Sequence, residues 1–183
     1  MNDFKYKHIP NFLNEKECEL FYTYTKLKHL TNTSSFENPV GSNLPFATAD
    51  TCFYSDTIME ALLKLKLPII EKEVGLELLP TYSYWRMYTY GASLPKHSDR
   101  PSCEISVTVN LSEYDGWPIF MDGNKIYLKQ GDACIYKGCE VEHFRESLEE
   151  NHQAQVFLHY VDKNGNNKDY KYDKRPYLGF VKI

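Results

Sequence analysis

The chain has 183 residues, of which 42% are hydrophobic and 25% are charged, and its formal net charge is −4. A disordered chain is excluded because the hydrophobic content is high and the net charge is small, and no run approaches the roughly 20 apolar residues that a membrane span needs. The aromatic content of 15% favours β-sheet or a crowded pocket over a helical bundle.

The charge and the cysteines indicate the compartment and the partners. Residues 163–183 carry six basic and two acidic side chains, and this net +4 leaves −8 for the remainder of the chain. An acidic body argues against nucleic acid as a partner. The five cysteines are odd in number and scattered, and the first residues lack the pattern of a signal peptide. We therefore expect reduced thiols in a cytoplasmic protein with no membrane partner; the oligomeric state is left open.

The first elements are a short strand and a helix. Residues 4–13 are typical of a strand followed by a turn, and a helix is predicted from about 15 to 29. Asn14 caps this helix, since Glu17 follows at the spacing of a capping box. One face of the helix is apolar: Leu20, Tyr24 and Leu27.

A long loop and a second helix come next. Residues 31–50, rich in Asn, Thr, Ser and Pro, predict a loop near a functional opening. Ser55 or Asp56 begins the second helix, Pro68 interrupts it, and Gly75 ends the segment after the proline.

After Pro80 the pattern changes to that of β-strands. Over residues 82–90, tyrosine and arginine alternate with Ser83, Trp85, Met87 and Thr89, which is the pattern of a strand. Further strands are predicted at about 104–111, 117–121, 125–129, 133–137, 141–146 and 153–161, with turn residues between them. About eight short strands indicate a sandwich or a barrel. We expect one domain, 1–183, with a helical and loop support region at 1–79 and a β-barrel core with a C-terminal tail at 80–183.

One histidine stands next to a carboxylate in a way that suits metal binding. His97 and Asp99 are two residues apart, so in an extended chain both side chains project to the same side. A third ligand from a distant strand would complete one face of a metal ion and leave the opposite face open. Two histidines and one carboxylate in that arrangement suit ferrous iron and oxygen chemistry.

The surroundings of this motif resemble a known family. The residues Tyr88-Thr89-Tyr90-Gly91, followed by Leu94 and His97-Ser98-Asp99, are similar to the Y-x-x-G…H-x-D stretch of the 2-oxoglutarate- and Fe(II)-dependent oxygenases, in particular the prolyl 4-hydroxylase-like branch. The strand 105–111 and the run Gly131-Asp132-Ala133-Cys134-Ile135-Tyr136 also resemble segments of that family, in the expected order. The resemblance implies a double-stranded β-helix, a jelly-roll barrel flanked by N-terminal helices.

The resemblance also implies a distal histidine ligand. His143 follows the Gly131-Asp132 turn and matches the motif, which gives the set His97, Asp99 and His143. His159 lies in an apolar strand, where a core histidine with satisfied hydrogen bonds is the usual explanation. His152 lies at a junction between loop and strand and is expected to be solvated.

Members of the family bind the far carboxylate of 2-oxoglutarate with an Arg or Lys some ten residues after the distal histidine, where this chain has Gln153, Ala154 and Gln155. A buried dicarboxylate needs charge-assisted donors. Arg145 shares a strand face with His143, and Arg86 precedes Tyr88 by two residues, so either guanidinium could bind it. Tyr88 and a glutamine such as Gln155 would add hydrogen bonds.

The function implied is a dioxygenase with Fe(II) as cofactor and with 2-oxoglutarate and O₂ as co-substrates, which hydroxylates a second substrate. That substrate is a peptidyl proline, by the resemblance, or a small molecule. The alternative is a cupin-like module that binds a ligand or a metal without redox turnover, favoured by the missing basic residue near Gln155. A zinc hydrolase on the same three ligands would need Glu140 or Glu142 as a general base.

Overall fold

The computed structural model describes residues 4–34 and 50–180, which form ten strands and two α-helices. The helices are α1 (Glu15–Ser34) and α2 (Thr57–Val74). The strands are β1 (Tyr6–Ile9), β2 (Thr51–Tyr54), β3 (Leu78–Thr89), β4 (Leu94–His97), β5 (Ile105–Asn110), β6 (Ile119–Met121), β7 (Asn124–Ile126), β8 (Ala133–Lys137), β9 (His143–Arg145) and β10 (His152–Asp162). Of the predicted loop 31–50, residues 31–34 belong to α1 and residues 35–49 lie outside the described residues.

The strands form two facing antiparallel sheets. The major sheet has the order β1-β8-β5-β10-β3-β2, and the minor sheet has the order β4-β9-β6-β7. From β3 onward the chain alternates between the sheets, apart from the hairpin β6–β7; β8, for example, lies in the major sheet and β9 in the minor one. This arrangement is the jelly-roll barrel, so the prediction of a mainly β fold with N-terminal helices is confirmed.

Both helices cover the outer face of the major sheet. Residues of α1 and α2 pack there against alternate side chains of β3, β5, β8 and β10 in one apolar core. Trp85 is fully buried in it and stacks on Phe53 at 5.1 Å between ring centroids. Burial of this outer face leaves the opposite side chains of the same strands to line the space between the two sheets.

Helix α1 begins as predicted and buries a different face. The Asn14 amide donates to Glu17 at 2.9 Å and the Glu17 amide donates to the Asn14 side chain at 3.0 Å, which is the capping box. The predicted apolar face is wrong at Leu20 and Leu27, which are more than half exposed, whereas Tyr24 packs edge-on against Trp85 in the core. The face that meets the sheet carries Cys18, Phe21 and Thr25.

Helix α2 runs through Pro68, so the predicted interruption is wrong. Its N-cap is Asp56, whose side chain accepts from the Ile58 amide, and Gly75 ends it with φ +70. Pro68 lies on the exposed face, whereas Leu63 and Ile70 are fully buried against the sheet. The packed face therefore holds the helix together on both sides of the proline, while Pro68 itself faces water.

The strands differ from the prediction at two places. Strands β2 and β4 lie outside the predicted set, because each has only four residues and lacks a clear alternation. Strand β3 begins at Leu78 and includes Pro80, which lies at the bulge where its register with β10 shifts. A bulge is one of the few places where a sheet accepts proline.

The space between the sheets is lined with polar and aromatic side chains. Strand β5 contributes Ser106, Thr108 and Asn110, each fully buried. Strand β10 contributes Gln153, Gln155, Phe157 and His159 from the adjacent position in the sheet. Buried polar side chains in such number distinguish this interior from the apolar core on the other face of the sheet.

The C-terminal segment packs back onto the barrel. Two short helical turns over Lys168–Lys174 lie against β3 and β10, and Arg175 is buried beyond them in an ion pair with Glu60 of α2. All five cysteines lie in the described part of the chain and are free thiols. Within the same residues, no helix has the length and apolar character to cross a membrane.

Candidate metal centre

Two histidines meet in the minor sheet. Strand β4 ends at His97, which pairs in register with His143, the first residue of β9. Their ring centroids are 4.3 Å apart. The antiparallel pairing of β4 and β9 therefore brings together two imidazoles that are distant in sequence.

Asp99 adds a carboxylate to this pair. Its amide donates to the Gly138 carbonyl at 2.8 Å, which fixes the chain just after β4. The Asp99 Oδ1 atom lies 3.6 Å from Nε2 of His97 and 3.6 Å from Nε2 of His143. One ligand atom from each of the three residues lies within 4.8 Å of the others, so they could hold a single metal ion.

Both imidazoles are oriented by the backbone. His97 Nδ1 lies 2.7 Å from the Pro95 carbonyl oxygen, and His143 Nδ1 lies 3.0 Å from the Val141 carbonyl oxygen. A carbonyl only accepts, so each Nδ1 carries the proton and each Nε2 presents its lone pair toward Asp99. This is the tautomer that a metal ligand needs, held by a partner outside the ligand set.

The electrostatics of the three side chains also suit a cation. Burial raises the pKa of Asp99, but its interactions with His97, His159, His143 and the Ser106 hydroxyl outweigh burial and leave that pKa below its usual value. Burial lowers the pKa of His143. The neighbouring Asp99 carboxylate raises the pKa of His97. The site thus combines an ionised carboxylate with a His143 that favours the neutral form.

One side of the centre is open. The His143 side chain is 3% exposed and that of Asp99 13%, whereas that of His97 is 38% exposed. The ring of Tyr136 packs edge-on against His143 at 4.8 Å and closes the inner side. Two imidazoles and a carboxylate on one face, with open positions opposite, form the ligand set of non-haem iron oxygenases.

Arg145 lies on the same strand as His143 and has an unusual environment. It is 2% exposed, its Nη1 donates to the Trp117 carbonyl at 2.7 Å, and its guanidinium lies 4.7 Å from the Trp117 ring centroid. Its Nε and Nη2 atoms are buried with no hydrogen-bond partner among the residues that the structure describes. Burial lowers the pKa of Arg145 to about 10, so it stays cationic at neutral pH.

Arg86 differs from Arg145 because a carboxylate already neutralises it. Its Nε donates to Asp50 at 2.7 Å and its Nη2 to the same oxygen, while Asp50 also accepts from the Thr89 amide at 2.9 Å. The guanidinium lies 4.1 Å from the ring centroid of Tyr88. Among the described residues, the guanidinium of Arg86 is thus paired with a carboxylate and that of Arg145 is not.

Tyr88 and Gln155, the other two residues of the predicted co-substrate site, are both buried. Tyr88 is 1% exposed and packs edge-on against Trp117 at 4.9 Å, so Trp117 contacts both Tyr88 and Arg145. Gln155 is held by β5, since its Nε2 donates to Asn110 Oδ1 at 3.3 Å. Trp117 is 5% exposed and its Nε1 donates to the Glu146 carbonyl.

A second cluster that sequence reasoning missed lies behind Asp99. The Ser106 hydroxyl lies 2.9 Å from Asp99 Oδ2 and 2.9 Å from His159 Nδ1. Burial lowers the pKa of His159 to about 4, which agrees with the expected core histidine. Asp99, Cys103 and His159 also have ligand atoms within 4.8 Å of one another. Ser106 pairs with His159 across β5 and β10, a register that the sequence does not reveal.

The comparisons with known proteins identify the fold. No protein-family model and no curated protein sequence matches the chain. The structure is similar to that of the non-heme α-ketoglutarate dependent epimerase SnoN from nogalamycin biosynthesis, with a TM-score of 0.70 and 11% identity over 86% of this chain and 78% of that one.

Two prolyl hydroxylases are similar as well. The viral collagen prolyl hydroxylase vCPH from Paramecium Bursaria Chlorella virus-1, solved with 2-oxoglutarate, has a TM-score of 0.64 and 12% identity over 87% of this chain and 96% of that one. A Pseudomonas putida prolyl-4-hydroxylase has a TM-score of 0.58 and 17% identity over 86% and 92%. The chain therefore has the fold of the 2-oxoglutarate/Fe(II) oxygenases.

Proposed function

We propose that this chain is a 2-oxoglutarate- and Fe(II)-dependent dioxygenase that hydroxylates a second substrate. One observation carries the proposal: the barrel interior places an unpaired, buried guanidinium two residues along the strand from a histidine of a two-histidine, one-carboxylate cluster. The cluster fits ferrous iron by ligand type. The guanidinium fits the far carboxylate of a keto acid chelated there.

His97, Asp99 and His143 would hold the iron. When bound, Fe(II) and 2-oxoglutarate supply the oxidising chemistry, in which O₂ and the keto acid yield succinate, CO₂ and a hydroxylated product. The three ligands occupy one face, and the backbone carbonyls of Pro95 and Val141 keep the two imidazoles turned toward it. The chain thus contributes a fixed, partly buried ligand set with room for co-substrate.

Arg145 would bind the far carboxylate. Nε and Nη2 lie on one edge of the guanidinium and together match the two oxygens of a carboxylate, while Nη1 is held by the Trp117 carbonyl. Two unpaired charged donors in a dry site are costly, and a bound carboxylate would satisfy both. Trp117 and Tyr88 exclude water from the pair.

This assignment removes the main support for the alternative of a binding module without redox turnover. That alternative depended on the missing basic residue near Gln155, and Arg145 offers the charge from β9 instead. Arg86 is a weaker candidate because Asp50 already satisfies its guanidinium.

The test is anaerobic addition of Fe(II) and 2-oxoglutarate to the apo-protein, followed by visible absorbance. We expect a weak band that needs both components and disappears when oxygen is admitted. In Arg145→Ala and in the milder Arg145→Gln, the 2-oxoglutarate concentration for half-maximal absorbance should rise at least tenfold, because a charge-assisted pair contributes about 1.5–3 kcal/mol. Folding of each variant is checked by thermal unfolding.

Arg86→Gln is the matched control and should change the half-maximal concentration less than threefold. Loss of 2-oxoglutarate binding in Arg86→Gln, with wild-type binding in both Arg145 variants, would show that Arg86 is the anchor. A folded wild-type protein without any band would favour the binding module.

For the second substrate we propose a peptidyl proline, supported by the likeness to vCPH and to the Pseudomonas putida enzyme. A small molecule is the competing candidate, favoured by the TM-score of 0.70 with SnoN. Mass spectrometry of proline-containing peptides after turnover decides between them: a gain of one oxygen supports the peptide, and its absence across a proline-rich peptide set, with 2-oxoglutarate still consumed, contradicts it.

A further inference from the structure

Ser106 and His159 form a buried polar pair that the proposed chemistry leaves unused. Ser106 is 0% exposed and His159 is 6% exposed, and they face each other across β5 and β10. The hydroxyl lies 2.9 Å from His159 Nδ1 and 2.9 Å from Asp99 Oδ2. Two buried polar side chains that lead to a carboxylate need a reason beyond packing.

The directions of these hydrogen bonds follow from the number of protons. An ionised carboxylate only accepts, so the Ser106 hydroxyl donates its single proton to Asp99. The Cys103 carbonyl, at 3.0 Å from the hydroxyl, is the weaker acceptor because it is uncharged. Ser106 must then accept from His159, whose Nδ1 carries the proton. The hydrogen bonds thus run in one direction, from His159 to Ser106 to Asp99, and end on Asp99 Oδ2.

The two oxygens of Asp99 consequently have different surroundings. Oδ1 lies 3.6 Å from Nε2 of each histidine ligand, whereas Oδ2 is held by Ser106. The backbone closes the same side, since a Cβ on Gly138 would lie 2.5 Å from Asp99 Oδ2 and 2.9 Å from Ser106 Oγ. Rotation of the carboxylate would break the bond to Ser106 and press an oxygen against this backbone.

We propose that Ser106 and His159 are positioning residues that fix the Asp99 carboxylate, so that Oδ1 alone binds the metal and Oδ2 is kept away from it. A carboxylate that binds a metal through one oxygen occupies one coordination position. The position that its second oxygen would otherwise take remains open for co-substrate. The inference rests on the proposed function, because it assumes a metal on His97, Asp99 and His143. Partners of metal ligands commonly contribute 10–100-fold to metal affinity.

The experiment titrates apo-protein with Co(II), whose visible absorption reports affinity and coordination together. Ser106→Ala should raise the dissociation constant for Co(II) at least tenfold and change the shape and intensity of the spectrum, because the freed Oδ2 can reach the metal. Ser106→Thr keeps the hydroxyl and should stay close to wild type.

A second, independent pair of variants tests His159, the first donor in this series of hydrogen bonds. His159→Phe keeps a ring against Tyr82, whose centroid lies 4.5 Å away, and removes the donor; it should weaken Co(II) binding in the same direction as Ser106→Ala. His159→Asn retains an N–H donor in place of Nδ1 and should recover binding. Thermal unfolding of each apo-protein identifies variants that do not fold, and either pair is sufficient alone.

Wild-type affinity and spectrum in Ser106→Ala would overturn the inference, and so would wild-type affinity and spectrum in His159→Phe if Ser106→Ala does not fold. The inference would also be overturned if Co(II) binding were weakened equally by Ser106→Ala and Ser106→Thr, and equally by His159→Phe and His159→Asn. The loss would then follow from altered packing rather than from the hydrogen bonds. Failure of the proposed function looks different: the wild-type protein would not bind Co(II), or His97→Ala would bind it equally well.

Discussion

At the scale of single residues, Gly138 is required because three groups approach its backbone closely. A Cβ there would meet the Cys103 carbonyl oxygen, Asp99 Oδ2 and Ser106 Oγ. The Cys103 oxygen belongs to the backbone and Asp99 belongs to the candidate metal centre, so displacing either of them would cost free energy. The sequence suggests only a turn at Lys137-Gly138, since a turn glycine and a close-contact glycine are identical in sequence.

Gly138→Ala should weaken metal binding as well as stability. The added methyl pushes Asp99 out of position, so we expect the dissociation constant for Co(II) to rise at least tenfold, measured by spectroscopic titration. The control is Gly75→Ala at the end of α2, where φ is +70 and nothing lies within 4 Å of the new Cβ. It should cost about 1 kcal/mol of unfolding free energy and leave Co(II) binding unchanged. Equal Co(II) affinity in the two variants would contradict this account.

At the scale of elements, α2 shows how tertiary packing outweighs a local signal. Pro68 lacks the amide hydrogen of an interior helical residue, and its ring crowds the carbonyl one turn earlier. The apolar face of α2 is buried before and after the proline, with Leu62 and Leu63 on one side and Ile70 and Val74 on the other. Packing on the sheet therefore keeps the helix continuous, and the local cost of the proline remains in the folded protein.

Pro68→Ala should accordingly stabilise the protein. We expect the unfolding free energy in urea to increase by about 1–3 kcal/mol, because alanine restores the missing hydrogen bond and removes the steric conflict. Leu65→Ala is the control on the same exposed face, with 74% of Leu65 exposed, and should change stability by no more than about 0.5 kcal/mol. No gain from Pro68→Ala would mean that the helix has already relaxed around the proline.

At the scale of the whole molecule, one buried ion pair joins the C-terminal segment to the rest. Arg175 and Glu60 are each 2% exposed at their side chains and lie 2.5 Å apart. Arg175 Nη2 also donates to the Thr81 carbonyl at 2.9 Å, and its Nε to the Tyr172 carbonyl at 2.7 Å. The pair connects α2, β3 and the chain after residue 174, so its loss would affect all three.

Arg175→Met should lower the unfolding free energy by about 3–5 kcal/mol, because it leaves the Glu60 carboxylate buried without its cation. The double variant Glu60→Gln, Arg175→Met removes that charge and should recover part of the loss, as measured by urea unfolding. Lys163→Ala, which breaks an exposed pair with Glu77, should cost less than about 1 kcal/mol. A double variant less stable than Arg175→Met would show that the isolated carboxylate is not the cause.

Much of the fold could be predicted because its signals are local, and these signals reflect side-chain type rather than exposure, since both faces of β5 and β10 are buried. The capping box at Asn14, the N-cap at Asp56 and the turn glycines each act within a few residues. The alternation of side-chain type along β5 and β10 reflects the different surroundings of the two strand faces, apolar toward the helices and polar toward the barrel interior. His97 and Asp99 could be singled out together because their relation is also local. The short strands β2 and β4 carry no such signal, since pairing with a neighbour alone makes them strands.

The sequence by itself determined the class of the fold and the candidate ligand types, because spacing, capping and alternation are properties of neighbouring residues. Only the tertiary structure decided which charges are already paired. Arg86 and Arg145 are equivalent in sequence, but Asp50 reaches the first and no carboxylate of the described residues reaches the second. Likewise, Ser106 and His159 meet Asp99 only through strand register. Contacts between distant segments depend on sheet order and register, which short-range patterns do not encode.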